Sequence, residues 1–97
     1  MARPPLLSEE EIRQEMKNLP NWERHDKVIV REAAGENFPD VIGKVNAIAV
    51  LAETMDHHPD LLIYGWNKVR IKLSTHDQGG LTELDFKLAG KIEDLKI

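Results

Sequence analysis

The sequence predicts an α+β two-layer domain: a four-stranded antiparallel sheet with three helices on one face, in the order α-β-β-α-β-β-α. Three observations lead there. Two capping signatures, Ser8 with Glu11 and Thr82 with Asp85, open helices near opposite ends of the chain. Between them Val41, Val45, Ile48, Ala52 and Met55 recur at alternating spacings of four and three, the stripe of an amphipathic helix. On either side of that helix lie two short apolar runs joined by polar turns, the pattern of strand pairs.

At the first helix the Ser8 hydroxyl can accept the Glu11 amide while the Glu11 carboxylate reaches back, with Leu7 and Ile12 as the accompanying apolar staple. Ile12, Met16 and Leu19 share a face, and Pro20 closes the helix. Trp22–His25 and Lys27–Glu32 read as two strands joined near Asp26. The second and longest helix begins within Asn37–Asp40, where Pro39 fits the first turn because its missing N–H is not needed there. A further stripe of Gly43, Ala47, Val50 and Leu51 makes this helix apolar on two sides, and in so short a chain another subunit most easily covers the second. Pro59 disfavours helix at the residue before it. Leu61–Tyr64 and Lys68–Thr75 form the second strand pair around Gly65-Trp66-Asn67. Val69, Ile71, Leu73 and Thr75 alternate with Arg70, Lys72 and Ser74, as in a half-buried strand. Gln78-Gly79-Gly80 makes a turn, and Thr82 with Asp85 then opens the last helix, stapled by Leu81 and Phe86.

The 97 residues hold one domain, 1–97. With 41% hydrophobic and 31% charged residues the chain is globular in composition. Thirteen basic against seventeen acidic side chains leave a net charge of −4, which argues against non-specific nucleic-acid binding. The longest apolar run, Ala47–Ala52, falls far short of the roughly 20 residues that cross a bilayer. Met1–Ser8 lacks the apolar stretch of a signal peptide, with Pro4-Pro5 read as a frayed terminus. Absence of cysteine excludes a disulfide framework, a thiolate metal site and a Cys nucleophile. The expectation is a cytoplasmic protein with no membrane or nucleic-acid partner. A chain this short buries only about 60–70% of its unfolded surface, so a homodimer or homotetramer is expected.

Chemistry concentrates on histidine. His57 and His58 follow the second helix and His76 follows the fourth strand, with Asp56 and Asp77 beside them. Imidazole, with an unperturbed pKa of about 6.5, can give or take a proton near neutrality. Zinc is the competing use, but adjacent His57 and His58 diverge on most backbones, and no H-x-H or H-x-x-x-H spacing occurs. Ser74 near His76 lacks the elbow and oxyanion hole of a hydrolase. Gly79-Gly80 matches no phosphate-loop fingerprint. His25 reads as a surface residue, and Asp85 as a first-turn carboxylate favoured at a helix start.

Glu53-Thr54-Met55-Asp56-His57-His58-Pro59, then Tyr64 to Val69, then Leu73-Ser74-Thr75-His76-Asp77, and finally Gly80 to Asp85 together resemble the pterin-4a-carbinolamine dehydratase family. The resemblance covers the last three-fifths of the chain. The earlier elements fit its order, with Trp22 in place of the family's early strand tryptophan. His-His-Pro followed by Ser-Thr-His is its most specific part. Two departures stand out: Pro59 to Asn67 is one residue longer than in animal members, and Leu61 replaces a tryptophan often found there, while Trp66 brings an aromatic to the hairpin.

The resemblance implies dehydration of 4a-hydroxytetrahydropterin to quinonoid dihydropterin, in the recycling of a tetrahydropterin, with no metal or redox cofactor. It makes His57, His58 and His76 the catalytic set, with His57 and His76 as a proton-transfer pair across the ring and His58 orienting the substrate. Asp56, Ser74, Thr75 and Asp77 would line the pocket, and Glu53, one helical turn before His57, would orient it. Two other roles follow from relatives: a dimerisation cofactor presenting helices to a partner, and a pterin-binding role in molybdopterin metabolism.

Overall fold

Helix α1 (Glu9–Met16) starts where the capping box sets it: the Glu11 amide donates to the Ser8 hydroxyl at 3.1 Å, and the Ser8 amide donates to the Glu11 carboxylate at 2.8 Å. The structure, a computed structural model, describes residues 3–97; Met1 and Ala2, which begin the segment read for a leader, lie outside the described residues. Ile12 is buried under α1, and Leu19 and Trp22 continue its apolar face into the core.

Strands β1 (Glu23–His25), β2 (Val28–Ala34), β3 (Asp60–Tyr64) and β4 (Lys68–Leu73) form one antiparallel sheet in the order β1-β2-β4-β3. The central pair runs from Ile29 opposite Leu73 to Ala34 opposite Lys68. Strand ends differ from expectation by one or two residues: β2 begins after Lys27 and runs past Glu32 to Ala34, and β3 takes in Asp60. Trp22 precedes β1, buried in the core. Beyond Leu73 the chain has passed the start of β2, so Thr75 pairs with Gly80 across a tight turn instead of extending β4.

Between the strand pairs runs α2 (Phe38–Met55), capped by the Asn37 side chain accepting the Asp40 amide at 2.8 Å. Val41, Ile48 and Ala52 are fully buried, and Val45 and Met55 pack at the edge of the core. The second stripe divides: Val50 is 65% exposed, Gly43 is exposed and Ala47 half-buried, while Leu51 packs at the edge of the core. Helix α3 (Glu83–Asp94) contributes Phe86, Leu88, Ala89 and Ile92 to the same core, against Ile29, Val69, Ile71 and Leu73 of the sheet. Arg31, on an inward position of β2, is 8% exposed and pairs with Glu93 while donating to the Ile97 carbonyl, tying the end of α3 to the sheet.

The opposite sheet face is open and polar. It carries a hollow of about 570 Å³ around Val30, Glu32, Arg70 and Lys72. Hydrogen bonds from the Tyr64 hydroxyl and from Arg70 hold the Glu32 carboxyl below the usual carboxylate range. His25 lies here too, exposed and beside Glu23. Among the described residues no helix is long and apolar enough to cross a membrane.

Candidate active site

The end of α2 decides where its two histidines go. Asp56 adopts the left-handed conformation (φ 50°, ψ 44°), which Asp tolerates better than most residues. Its amide donates to the Glu53 carbonyl and the His57 amide to the Ala52 carbonyl, both at 3.1 Å, the paired bonds of a Schellman close. The reversal sends His57 inward, 5% exposed, and leaves His58 at the surface. Glu53 therefore meets His58, at 2.9 Å, and not His57. The expected Glu53–His57 pairing assumed a helix continuing through residue 57, which the Asp56 turn prevents.

The partner of His57 is Asp85. Its Oδ1 lies 2.7 Å from His57 Nε2, and the carboxylate is wholly buried. On the other oxygen it accepts the Thr82 amide and the Thr75 hydroxyl, each at 2.9 Å. Thr75 has one hydrogen and spends it on Asp85, so the Thr82 hydroxyl, 2.8 Å away, must donate to Thr75. Thr82 in turn accepts the Leu84 amide at 3.2 Å. A buried carboxylate is tolerable only when paired and hydrogen-bonded, and here three donors surround it. Because an ionised carboxylate only accepts, the network assigns a proton to His57 Nε2. Nδ1, with no hydrogen-bond partner among the described residues, is left as the free ring nitrogen.

Asp85 is thus more than a first-turn carboxylate. Its position in the capping box is real, but the same side chain fixes an imidazole 28 residues away. Thr75→Val keeps the shape and removes one donor from this cluster. It is expected to cost about 1–3 kcal/mol of stability, read from a urea transition, and an unmoved midpoint would show the hydroxyl chain to be dispensable.

These elements frame a cleft of about 170 Å³. Asp56, His57 and His58 form one wall and Ser74, Thr75, His76 and Asp77 the other. Seven of the eight residues singled out from the sequence therefore line one depression; Glu53 stands behind His58. Thr75 does so with its hydroxyl turned to Asp85. His76, exposed, begins the single 3-10 turn His76–Gln78 just after the buried Thr75. The eighth lining residue, Arg3, carried no sequence signal: it reaches Asp56 at 3.6 Å and Asp77 at 3.4 Å. Neither tryptophan enters the cleft, for Trp22 is core and Trp66 is 64% exposed. Among the described residues no three His, Cys, Asp or Glu side chains are grouped to hold a metal ion.

An α+β domain with three imidazoles on one small cleft, one of them braced by a buried carboxylate, has the groups that general acid–base chemistry uses. Comparison with known proteins makes this specific. Residues 5–95 match the family model described as pterin 4 alpha carbinolamine dehydratase, so the chain belongs to that family of hydro-lyases. Among curated relatives, each provisionally named pterin-4-alpha-carbinolamine dehydratase, one from Aquifex aeolicus is 48% identical over 89 residues, covering 92% of this chain and 89% of its own. Another, from Metallosphaera sedula, is 42% identical over 92 residues, covering 95% of each. A crystal structure of a transcriptional coactivator/pterin dehydratase from Brucella melitensis superposes with a TM-score of 0.86 at 32% identity, over 92% of this chain and 96% of that one. A pterin dehydratase-like protein identified as a RuBisCO assembly factor shares the fold, with a TM-score of 0.60 at 19% identity over 76% and 84% of the two chains.

Proposed function

We propose that the protein dehydrates a 4a-hydroxytetrahydropterin, releasing water and a quinonoid dihydropterin. The observation that carries this reading is the convergence of His57, His58 and His76 on one cleft of family-matched sequence. In the reaction the 4a-hydroxyl gains a proton and leaves as water, the N5 lone pair closes the C4a–N5 double bond, and N5 loses its hydrogen. One proton is given and one taken, so no net oxidation occurs. His57, offering Nδ1 to the cleft, and His76, from the facing wall, act as the proton-transfer pair. His58, held by Glu53, orients the ring, and Asp56, Ser74 and Asp77 supply polar contacts at the rim.

Stopped-flow mixing of the protein with freshly generated 4a-hydroxytetrahydropterin tests this. The dehydration rate should rise linearly with protein concentration; a rate equal to the uncatalysed one at every concentration would reject the proposal. A purely interaction-based role predicts instead that His57 and His76 can be replaced without consequence.

The exposed part of the second stripe of α2 supports self-association, since Val50 and Gly43 lie open on one face beside Ala47. Ala47→Glu, at the centre of that face, should move the protein to a later elution volume in size-exclusion chromatography. An unchanged elution volume would place any interface elsewhere.

A further inference from the structure

We propose that Arg3 is a substrate-positioning residue, carried on a strap, residues 3–7, that closes the mouth of the cleft; this rests on the pterin reading above. The strap is anchored, not frayed as Pro4-Pro5 suggested. The Leu7 amide donates to the Leu81 carbonyl at 3.0 Å, and Gln78 Nε2 donates to the Pro4 carbonyl at 2.8 Å. Leu6 lies so close over Gly80 that a Cβ there would come within 3.0 Å of its Cδ2. Pro4 and Pro5 have fixed φ angles and lose little freedom on docking.

Arg3 then spans the cleft. Asp56 closes the wall that holds His57 and His58, while Asp77 follows His76 on the other, so one guanidinium bridges both walls beside all three imidazoles. The Arg3 side chain is 28% exposed, whereas those of Asp56 and Asp77 are 85% and 71% exposed. Ion pairs this open to water add little to folding, so the bridge is poorly explained as a stabiliser. What it does is fix the gap between the walls. Guanidinium has five N–H donors, and two carboxylates leave several to meet a carbonyl oxygen on a flat ring. The cleft is smaller than the roughly 300–1,000 Å³ of pockets for drug-sized ligands, so its contacts are limited to part of a substrate.

Arg3→Ala is expected to raise KM about tenfold, the loss of one charge-assisted contact, with kcat and the thermal midpoint nearly unchanged. Arg3→Lys should recover part of the loss. Wild-type KM should rise with salt as the bridge is screened, while that of Arg3→Ala stays flat. Gln78→Met, which removes the bonds to the Arg3 and Pro4 carbonyls but keeps the Arg3 side chain, should reproduce the effect, and the double variant should be no worse than the poorer single one. If the wild type turns over and Arg3→Ala has the same KM, the strap proposal fails and the dehydratase reading stands. If the wild type does not turn over, the dehydratase reading fails. Titration of both proteins with a fluorescent oxidised pterin then decides the strap: weaker binding by Arg3→Ala supports it, and equal or absent binding rejects it.

Discussion

Replacing His76 by alanine should lower the dehydration rate constant by about 10²–10⁴-fold, the usual range for a positioned acid or base, and leave the urea midpoint where it was. His76 is exposed and bonds no other side chain among the described residues, so the rate and not the fold is at stake. His57→Ala should lose as much rate but also some stability, because it strips the buried Asp85 of one of its three donors. The sequence alone suggests two equivalent replacements; the structure separates them. His76→Ala at wild-type rate would remove that imidazole from the mechanism, and the same result for both variants would end the acid–base reading.

Asp85→Ala should have the largest effect on the fold. It leaves His57, Thr75 and the Thr82 amide without their common acceptor in a site closed to water, and breaking a buried pair in this way costs about 3–5 kcal/mol. For a domain of this size that is a large share of the ~5–15 kcal/mol that usually holds one together. Asp85→Asn keeps the shape and isolates the electronic part. If the amide oxygen faces Thr75 and Thr82, its NH₂ faces His57 Nε2, which must then become an acceptor with the proton on Nδ1. The working nitrogen is blocked, and a rate loss of about 10²-fold or more is expected. Nitrogen NMR of the imidazole reads the tautomer directly. An Asp85→Asn variant with Nε2 still protonated and full activity would show that Asp85 only fills space.

Much of this architecture is written locally. The capping boxes of α1 and α3, the stripe of α2 and the alternation of β4 each depend on residues within a few positions of one another, and each forms as its spacing predicts. The candidate site was legible in its histidines for the same reason: they punctuate the ends of elements that local pattern already locates. What could not be read depends on tertiary proximity. Asp85 satisfies its local role so fully that nothing in the sequence asks for a second one, yet its decisive partner is His57. Glu53 stands four residues before His57, the correct interval on a helix, and misses it because one left-handed residue intervenes. Arg3 lies 74 residues from Asp77, and no periodicity announces a strap folded back that far. Arg31 breaks the alternation of β2 because its charge is met by α3, again a contact between distant segments.

The hydroxyl chain behind the cleft has a consequence for where a proton can travel. From the Leu84 amide through Thr82 and Thr75 to Asp85 every hydrogen points the same way, and none of these groups has a spare one to turn around. A proton arriving at Asp85 would find no hydroxyl oriented to carry it further. The arrangement is a one-way street ending in a dead end, so in the proposed reaction the traffic is confined to the outer nitrogen of the ring.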